Sequence, residues 1–281
     1  MQIGAAWRSS VRIVLCWVLL FIAVAPSAMA ETVADGLNAY RSGDFERARQ
    51  IWQDLADAGD AAAQFNLGTL YDSGEGVVQD TARAAELWTA AADQGLLVAT
   101  HNLALMELEQ AAGDPVRLEA ARARLEQAAA SGLPRATYTL GKMYLLGVGV
   151  PQDETRALEL LRQAADAGLP RAEYNMGKIY RDGQGVEADP VAAADWFGRA
   201  ALHGHPGAQD HYARRLAAGE GIAADPVAAL GFALLAARQD YPDARAMAED
   251  LKQKLGIMDV AAAVRFADSF EPARPSAAVT Q

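Results

Sequence analysis

Beyond residue 30 the apolar residues fall into blocks about a dozen residues long, recurring every three to four positions. In "AEYNMGKIY" (Ala172–Tyr180), Glu173, Met176, Gly177 and Tyr180 stand at i, i+3, i+4 and i+7. That spacing places them on one stripe of a helix, with Met176 and Tyr180 expected in the core. Gly177 costs about 1 kcal/mol in a helix interior relative to alanine. The expected return is a second helix that approaches where no side chain fits. That second helix is predicted to start at Asp189-Pro190. Aspartate is a preferred N-cap, and proline suits the first helical position because its missing N–H would be unpaired there. Asp225-Pro226 repeats the signal, and Asp80 and Asp153 keep the cap without the proline. Ala84, Ala157, Ala193 and Ala229 then share a slot, followed four positions on by Trp88, Leu161, Phe197 and Ala233. Glycines such as Gly168 are expected to end these helices in a left-handed conformation.

The blocks repeat. Alanines 63, 99, 136, 172, 208 and 244 are separated by 36, 37, 36, 36 and 36 residues. Gly68, Gly141 and Gly177 lie five residues after three of them, and Tyr71, Tyr144 and Tyr180 three residues further. Four pairs of loop glycines also share one slot: Gly74 with Gly76, Gly147 with Gly149, Gly183 with Gly185, and Gly219 with Gly221. A helix pair of this size cannot bury its apolar face alone, whereas stacked copies can, so the pattern predicts an all-α solenoid. The loop "YRDGQGVEADP" (Tyr180–Pro190) is glycine-rich, as phosphate-binding loops are. It occurs in four close copies, however, and follows a helix, so we read it as a corner. The unit at Ala99 departs from the pattern, with Ala104 in the glycine slot and "GDPV" (Gly113–Val116) in place of the two-glycine loop.

The motif A-x-Y-N-[LM]-G-x-x-Y-x-x-G-x-G-V-x-x-D, followed by A-x-x-x-W and A-A-x-x-G, resembles the Sel1-like repeat, a tetratricopeptide variant with a longer loop between its helices. "AQFNLGTLYDSGEGVVQD" (Ala63–Asp80) and "AEYNMGKIYRDGQGVEAD" (Ala172–Asp189) carry it nearly throughout, and the likeness covers about residues 35–244. The resemblance implies a right-handed superhelix of helix-turn-helix repeats that binds other proteins and does no catalysis. Members in bacterial envelopes serve signalling, polysaccharide secretion and host contact. The expected organisation is a signal peptide over 1–30, a half repeat or cap over 31–60, and repeats over 61–97, 98–133, 134–169, 170–205 and 206–243. Capping helices over 244–270 and a disordered tail over 271–281 complete it.

In such solenoids the first helix of each unit lines the concave side. Counted from each anchor alanine, the core is expected at +1, +4, +5 and +8, which turns +2, +3 and +6 toward a groove. Phe65, His101, Tyr138 and Tyr174 occupy +2, with Asn66, Asn102 and Asn175 at +3 and Lys142 and Lys178 at +6. Aromatic rings, amides and lysines together could grip an extended acidic peptide. The rings would more ordinarily pack between neighbouring repeats, since large apolar stripes are usually core, and the asparagines could equally bond local backbone. His203, His205 and His211 cluster in sequence near Asp210, which raises a metal-binding or enzymatic alternative. Their spacing matches no metal-ligand motif, and His203 shares its slot with Gln94, Ser131 and Ala167. No G-x-S-x-G, H-E-x-x-H or P-loop lysine motif occurs, and no cofactor is expected.

The start of the chain changes the expected address. Arg8 and Arg12, the apolar run Ile13 to Ala25, and Ala28-Met29-Ala30 have the layout of a signal peptide cut after Ala30. The apolar run is short for a membrane span of roughly 20 residues. The only cysteine, Cys16, lies inside it, so the mature chain would have no disulfide or thiolate site. Removing residues 1–30 takes away two arginines and no acids, moving the formal charge from −11 to −13. Such acidity argues against nucleic acid as a partner and against membrane insertion after processing. The expected role is a periplasmic or secreted scaffold for a protein or extended peptide. The alternative is a periplasmic regulator that holds the sensor domain of a membrane histidine kinase.

Overall fold

The computed structural model describes residues 31–273. The signal peptide and residues 274–281 of the expected tail lie outside the described residues. Among the described residues all regular structure is helical, in fourteen α-helices. An opening pair, α1 (Val33–Arg41) and α2 (Phe45–Asp57), precedes five longer hairpins. These are α3 (Ala61–Ser73) with α4 (Thr81–Asp93), α5 (Leu97–Gln110) with α6 (Pro115–Ala130), and α7 (Pro134–Leu146) with α8 (Glu154–Asp166). Next come α9 (Pro170–Asp182) with α10 (Pro190–Leu202) and α11 (Pro206–Ala218) with α12 (Pro226–Arg238). α13 (Ala244–Lys254) and α14 (Ile257–Ser269) close the stack. From α1 to α13 each helix packs on its neighbours in the chain, and α14 skips α13 and folds back onto α12. This neighbour-only packing makes the molecule an α-solenoid.

Small residues let the two helices of each hairpin close together. A Cβ on Gly177 would stand 2.7 Å from the Phe197 ring, and one on Gly68 would stand 2.8 Å from Trp88. Phe197 and Trp88 are buried at those contacts. The corner between the helices is equally regular. Gly183 ends α9 at φ 67°, as Gly74 ends α3 and Gly147 ends α7, and the Asp189 N–H donates back to the Tyr180 carbonyl at 2.9 Å. Asp189 then caps α10 through the N–H groups of Val191 and Ala192. The same return bond joins Asp80 to Tyr71, Asp153 to Tyr144 and Asp225 to Leu216. The glycine-rich stretch is therefore a backbone staple that reverses the chain. Val186 packs partly buried beside Leu161, Ile179 and Trp196.

The reading of the second loop glycine as a corner and nothing more is corrected at Gly76 and Gly149. Both are solvent-exposed, yet each lies against the second helix of the preceding unit. A Cβ on Gly76 would stand 2.4 Å from Phe45 Cβ at the start of α2, and one on Gly149 would stand 2.9 Å from Leu118 Cβ on α6. Gly221 presses harder, with a Cβ there only 2.0 Å from the Pro190 carbonyl oxygen. At these positions the missing side chain lets a loop touch the neighbouring hairpin, so the glycine serves stacking as well as reversal. Gly185 alone of the four is a plain corner, with no atom within 4 Å of a Cβ built on it.

The expected core slots +1, +4 and +5 are buried, as Gln64, Leu67 and Gly68 show on α3 and Glu173, Met176 and Gly177 on α9, and the structure departs from the expected pattern at +8. The +7 residues Leu70, Met143 and Ile179 are buried, whereas Tyr71, Tyr144 and Tyr180 at +8 are only half-buried. A phenol ring extends beyond an apolar core one helix thick, and the Tyr180 hydroxyl meets Arg162 at the surface. The tail expectation is corrected at its start. Pro272 packs over Gly204, and the Ala273 N–H donates to the Leu202 carbonyl at 2.9 Å, which holds residues 271–273 against the end of α10. The unit without the two-glycine loop still forms the hairpin α5–α6. It turns through Ala112 and Gly113, both at positive φ, with an Asp114 N–H to Ala111 carbonyl bond of 2.6 Å.

Candidate partner-binding groove

The +2 and +3 side chains of α5, α7, α9 and α11 meet between neighbouring hairpins. The Thr139 hydroxyl donates to the Arg135 carbonyl at 2.9 Å, so its lone pair accepts from His101 Nε2–H at 3.1 Å. The Asn175 amide donates to the Tyr138 hydroxyl at 2.9 Å. Tyr174 lies 5.8 Å from His211, centroid to centroid. One rung thus repeats three times, each joining +2 of one hairpin to +3 of the next. Phe65 differs: its carbonyl accepts from Trp88 Nε1 at 3.1 Å and its ring packs 6.5 Å from that indole. Asn66 is half-buried on the same helix.

His101, Asn102 and Tyr138 line one groove of about 520 Å³ together with Arg135, Arg171 and His205. Leu105, Leu169 and Pro170 give it an apolar wall. Phe65, Asn66, Tyr174, Asn175, Lys142 and Lys178 are not part of its lining. Lys142 is half-buried, and Lys178 Nζ sits 5.8 Å above the Tyr174 ring. Sequence reasoning missed Arg135 and Arg171, and weighed His205 only as a metal ligand. The signal was present one place before the anchor alanine, where Ala62, Val98, Arg135, Arg171 and Gly207 align. Only the third and fourth hairpins carry a cation there.

Burial, and then the nearby Arg135 charge, push His101 down to about 4. Burial followed by Arg171 does the same to His205. Both rings are therefore neutral at pH 7. His205 Nδ1 caps α11 by accepting from the Ala208 N–H at 3.2 Å, which leaves the proton on Nε2. Burial also raises the Tyr138 hydroxyl, and it raises Tyr174 to about 12 with help from Tyr241.

The three clustered histidines are engaged one by one. His205 stacks on Tyr174 at 4.4 Å, and His211 stacks on Phe197 at 4.9 Å. His203 Nδ1 bonds Glu173 Oε2 at 2.6 Å, and Glu173 also accepts from Arg199 Nε at 3.2 Å. The same two slots hold Gln64 with Gln94, bonded at 2.9 Å, and Gln209 with Gln239, bonded at 2.8 Å. His203 is therefore the histidine form of a polar pair that ties the first helix of a hairpin to the end of the second. Among the described residues, no group of three or more His, Cys, Asp or Glu side chains could hold a metal ion. No helix among them is long and apolar enough to cross a membrane.

Residues 61–96, 134–169, 170–205 and 206–241 match the family model for the Sel1 repeat. The second hairpin, without its two-glycine loop, falls in the gap between matches. A Sel1 repeat protein from Oxalobacter formigenes has a similar solved structure, with a TM-score of 0.67 and 27% sequence identity, covering 85% of this chain and 100% of that one. An immunity protein from Pseudomonas aeruginosa shares the fold, with a TM-score of 0.52 and 19% identity, covering 85% and 84%. An exopolysaccharide production negative regulator from Rhizobium leguminosarum bv. viciae is 30% identical over 127 residues, 41% of this chain. The match spans about half, 48%, of that relative's length.

Proposed function

The chain belongs to the Sel1 repeat family, and from that premise we propose that it is an exported scaffold that holds another protein along the first helices of its central hairpins. The observation that carries this is the groove between α5, α7 and α9. It is concave, has an apolar wall, and is rimmed by hydrogen-bond donors in a chain that is otherwise acidic. Solenoids of this kind present such surfaces to protein partners. We assign it no catalytic step: the titratable groups in the groove are two neutral imidazoles, a phenol and two guanidinium groups, without a nucleophile–base pair. The periplasmic address is proposed from the charged start, apolar run and Ala-x-Ala of residues 1–30. Pull-down of the tagged protein from envelope extract, with mass spectrometry, tests the reading. One recurrent protein partner supports it, and the absence of any protein partner overturns it.

A second reading is favoured by the relative named as a negative regulator of exopolysaccharide production. In it, the partner is the sensor domain of a membrane histidine kinase, and the scaffold sets that kinase's output. Deletion of the gene should then change exopolysaccharide yield. An unchanged yield, with a partner that is not a kinase, leaves the general scaffold and removes this version.

A further inference from the structure

We propose that the groove between α5, α7 and α9 binds an extended acidic peptide segment, with Arg135 and Arg171 taking its carboxylates. This rests on the reading of the chain as a protein-binding scaffold and names the chemistry of the partner. Most arginines of the described chain already hold a carboxylate, as Arg122 holds Glu119 and Glu126 and as Arg214 holds Asp210. Arg135, Lys142, Arg171 and Lys178 have no ion-pair partner among the described residues. In a chain of formal charge −11, four such cations fall on two neighbouring helices, and two of them, Arg135 and Arg171, line the groove.

Their register is shared. "RATYTLGK" (Arg135–Lys142) and "RAEYNMGK" (Arg171–Lys178) each set Arg, Tyr and Lys at i, i+3 and i+7, one helical stripe. The Arg and Lys of a stripe are about 10 Å apart along the helix at 1.5 Å per residue. That length matches about three residues of extended chain. At the arginine slot the other hairpins carry Ala62, Val98 and Gly207, so the feature belongs to these two hairpins alone.

The surroundings offer donors. The Tyr138 hydroxyl accepts from Asn175, which leaves its own hydrogen to give. His101 and His205 are neutral and add no charge that would draw a carboxylate away from the guanidinium groups. Arginine presents a planar fork that pairs with a carboxylate through two parallel bonds. Leu105, Leu169 and Pro170 would take the apolar residues between the acids. A long polyanion such as nucleic acid, or an anionic membrane, would meet the acidic remainder of the surface. A short peptide would not.

The test uses the purified protein and a fluorescein-labelled peptide of alternating Glu and Leu, with its Gln counterpart as control, read by fluorescence anisotropy. The Glu peptide should bind, and the Gln peptide should bind at least about tenfold more weakly. Arg135→Gln with Arg171→Gln should weaken the Glu peptide by a similar factor, with the thermal melt unchanged. Arg41→Gln, an unpaired arginine far from the groove, should have no effect. Equal binding by the double variant, equal binding of the two peptides, or binding to anionic phospholipid vesicles in place of the peptide would overturn the proposal. Pull-down from envelope extract with the double variant separates the two readings. A partner retained by the variant removes the groove and leaves the scaffold. Peptide binding as expected, with no protein captured by either form, keeps the groove and removes the scaffold.

Discussion

The pair Glu173–His203 allows a quantitative test of how the hairpins are tied together. Glu173 is fully buried, and its carboxylate accepts from His203 at 2.6 Å and from Arg199 at 3.2 Å. Hydrogen bonds to charged groups contribute about 1.5–3 kcal/mol each. Arg199 is about a third exposed and keeps the Ala165 carbonyl at 3.1 Å and the Trp196 ring at 4.1 Å, so it can partly rehydrate when its acid is removed. Glu173→Ala should therefore cost about 3–5 kcal/mol, the range for breaking a buried pair. At this chain length that lowers the melting temperature by on the order of 10 °C. Glu173→Gln with His203→Gln rebuilds the amide pair present in the first and fifth hairpins at 2.9 and 2.8 Å. That double variant should lose only about 1 kcal/mol, chiefly the charge assistance to Arg199. Urea denaturation followed by circular dichroism measures both variants. If the double variant is as unstable as Glu173→Ala, the two slots are not an interchangeable pair. If Glu173→Ala loses under about 1 kcal/mol, the buried carboxylate is not a structural element.

Other perturbations grade the same account. Gly177→Ala puts a Cβ 2.7 Å from the buried Phe197 ring and should cost about 1–3 kcal/mol. Gly141→Ala meets Leu160 and Leu161 at 3.2 Å, where a few tenths of an ångström suffice, so its melt should stay closer to native. The histidine shifts set an acid limb. His101 and His205 fall from 6.5 to about 4 in the folded chain, so the unfolded chain binds more protons between those values. Stability should be full above about pH 6.5 and decline as pH falls toward 4, by at most about 1.4 kcal/mol per pH unit for each ring. His205→Asn keeps a capping acceptor for α11 and should flatten that limb in chemical denaturation at pH 5; an unchanged slope would count against it. Lys142→Glu with Lys178→Glu should weaken capture of a protein partner while leaving the melt intact, and unaltered affinity would exclude the lysine ends of the two stripes.

Much of the fold was legible because stacking forces each hairpin to solve the same problem at the same residue numbers. The glycine that admits Phe197, the aspartate that caps α10 and the paired loop glycines each recur, so their roles in packing the hairpin and reversing the chain followed from spacing alone. The second task of Gly76 and Gly149 did not follow, because Phe45 and Leu118 reach them from the preceding unit, and spacing within one unit is blind to that contact. Of the expected core slots, +8 was misjudged, because a tyrosine reads as an apolar residue. Its hydroxyl belongs at the core's edge, and Ile179 fills the interior instead. The groove was legible only in part. Asn102 lines the groove, whereas Asn175 at the same slot of α9 is bonded to Tyr138, a partner on the neighbouring helix that spacing does not reveal. The lysines drew notice as isolated cations in an acidic chain. Arg135 and Arg171 did not, because arginine is common here and its significance lies in having no carboxylate beside it. The same holds for His203: proximity in sequence to His205 and His211 suggested a metal set, while the slot it shares with Gln94 pointed to its bond with Glu173.

The central claim, that a protein partner lies along the first helices of the second, third and fourth hairpins, is tested most directly by photocrosslinking in cells. A photoreactive phenylalanine replaces Asn102 in the groove or, as a control, the exposed Glu159 on α8. The account predicts a discrete protein adduct from position 102, lost when Arg135 and Arg171 are both changed to Gln, and no such adduct from position 159. An adduct from position 159 alone, or one at position 102 that persists without the two arginines, would contradict it.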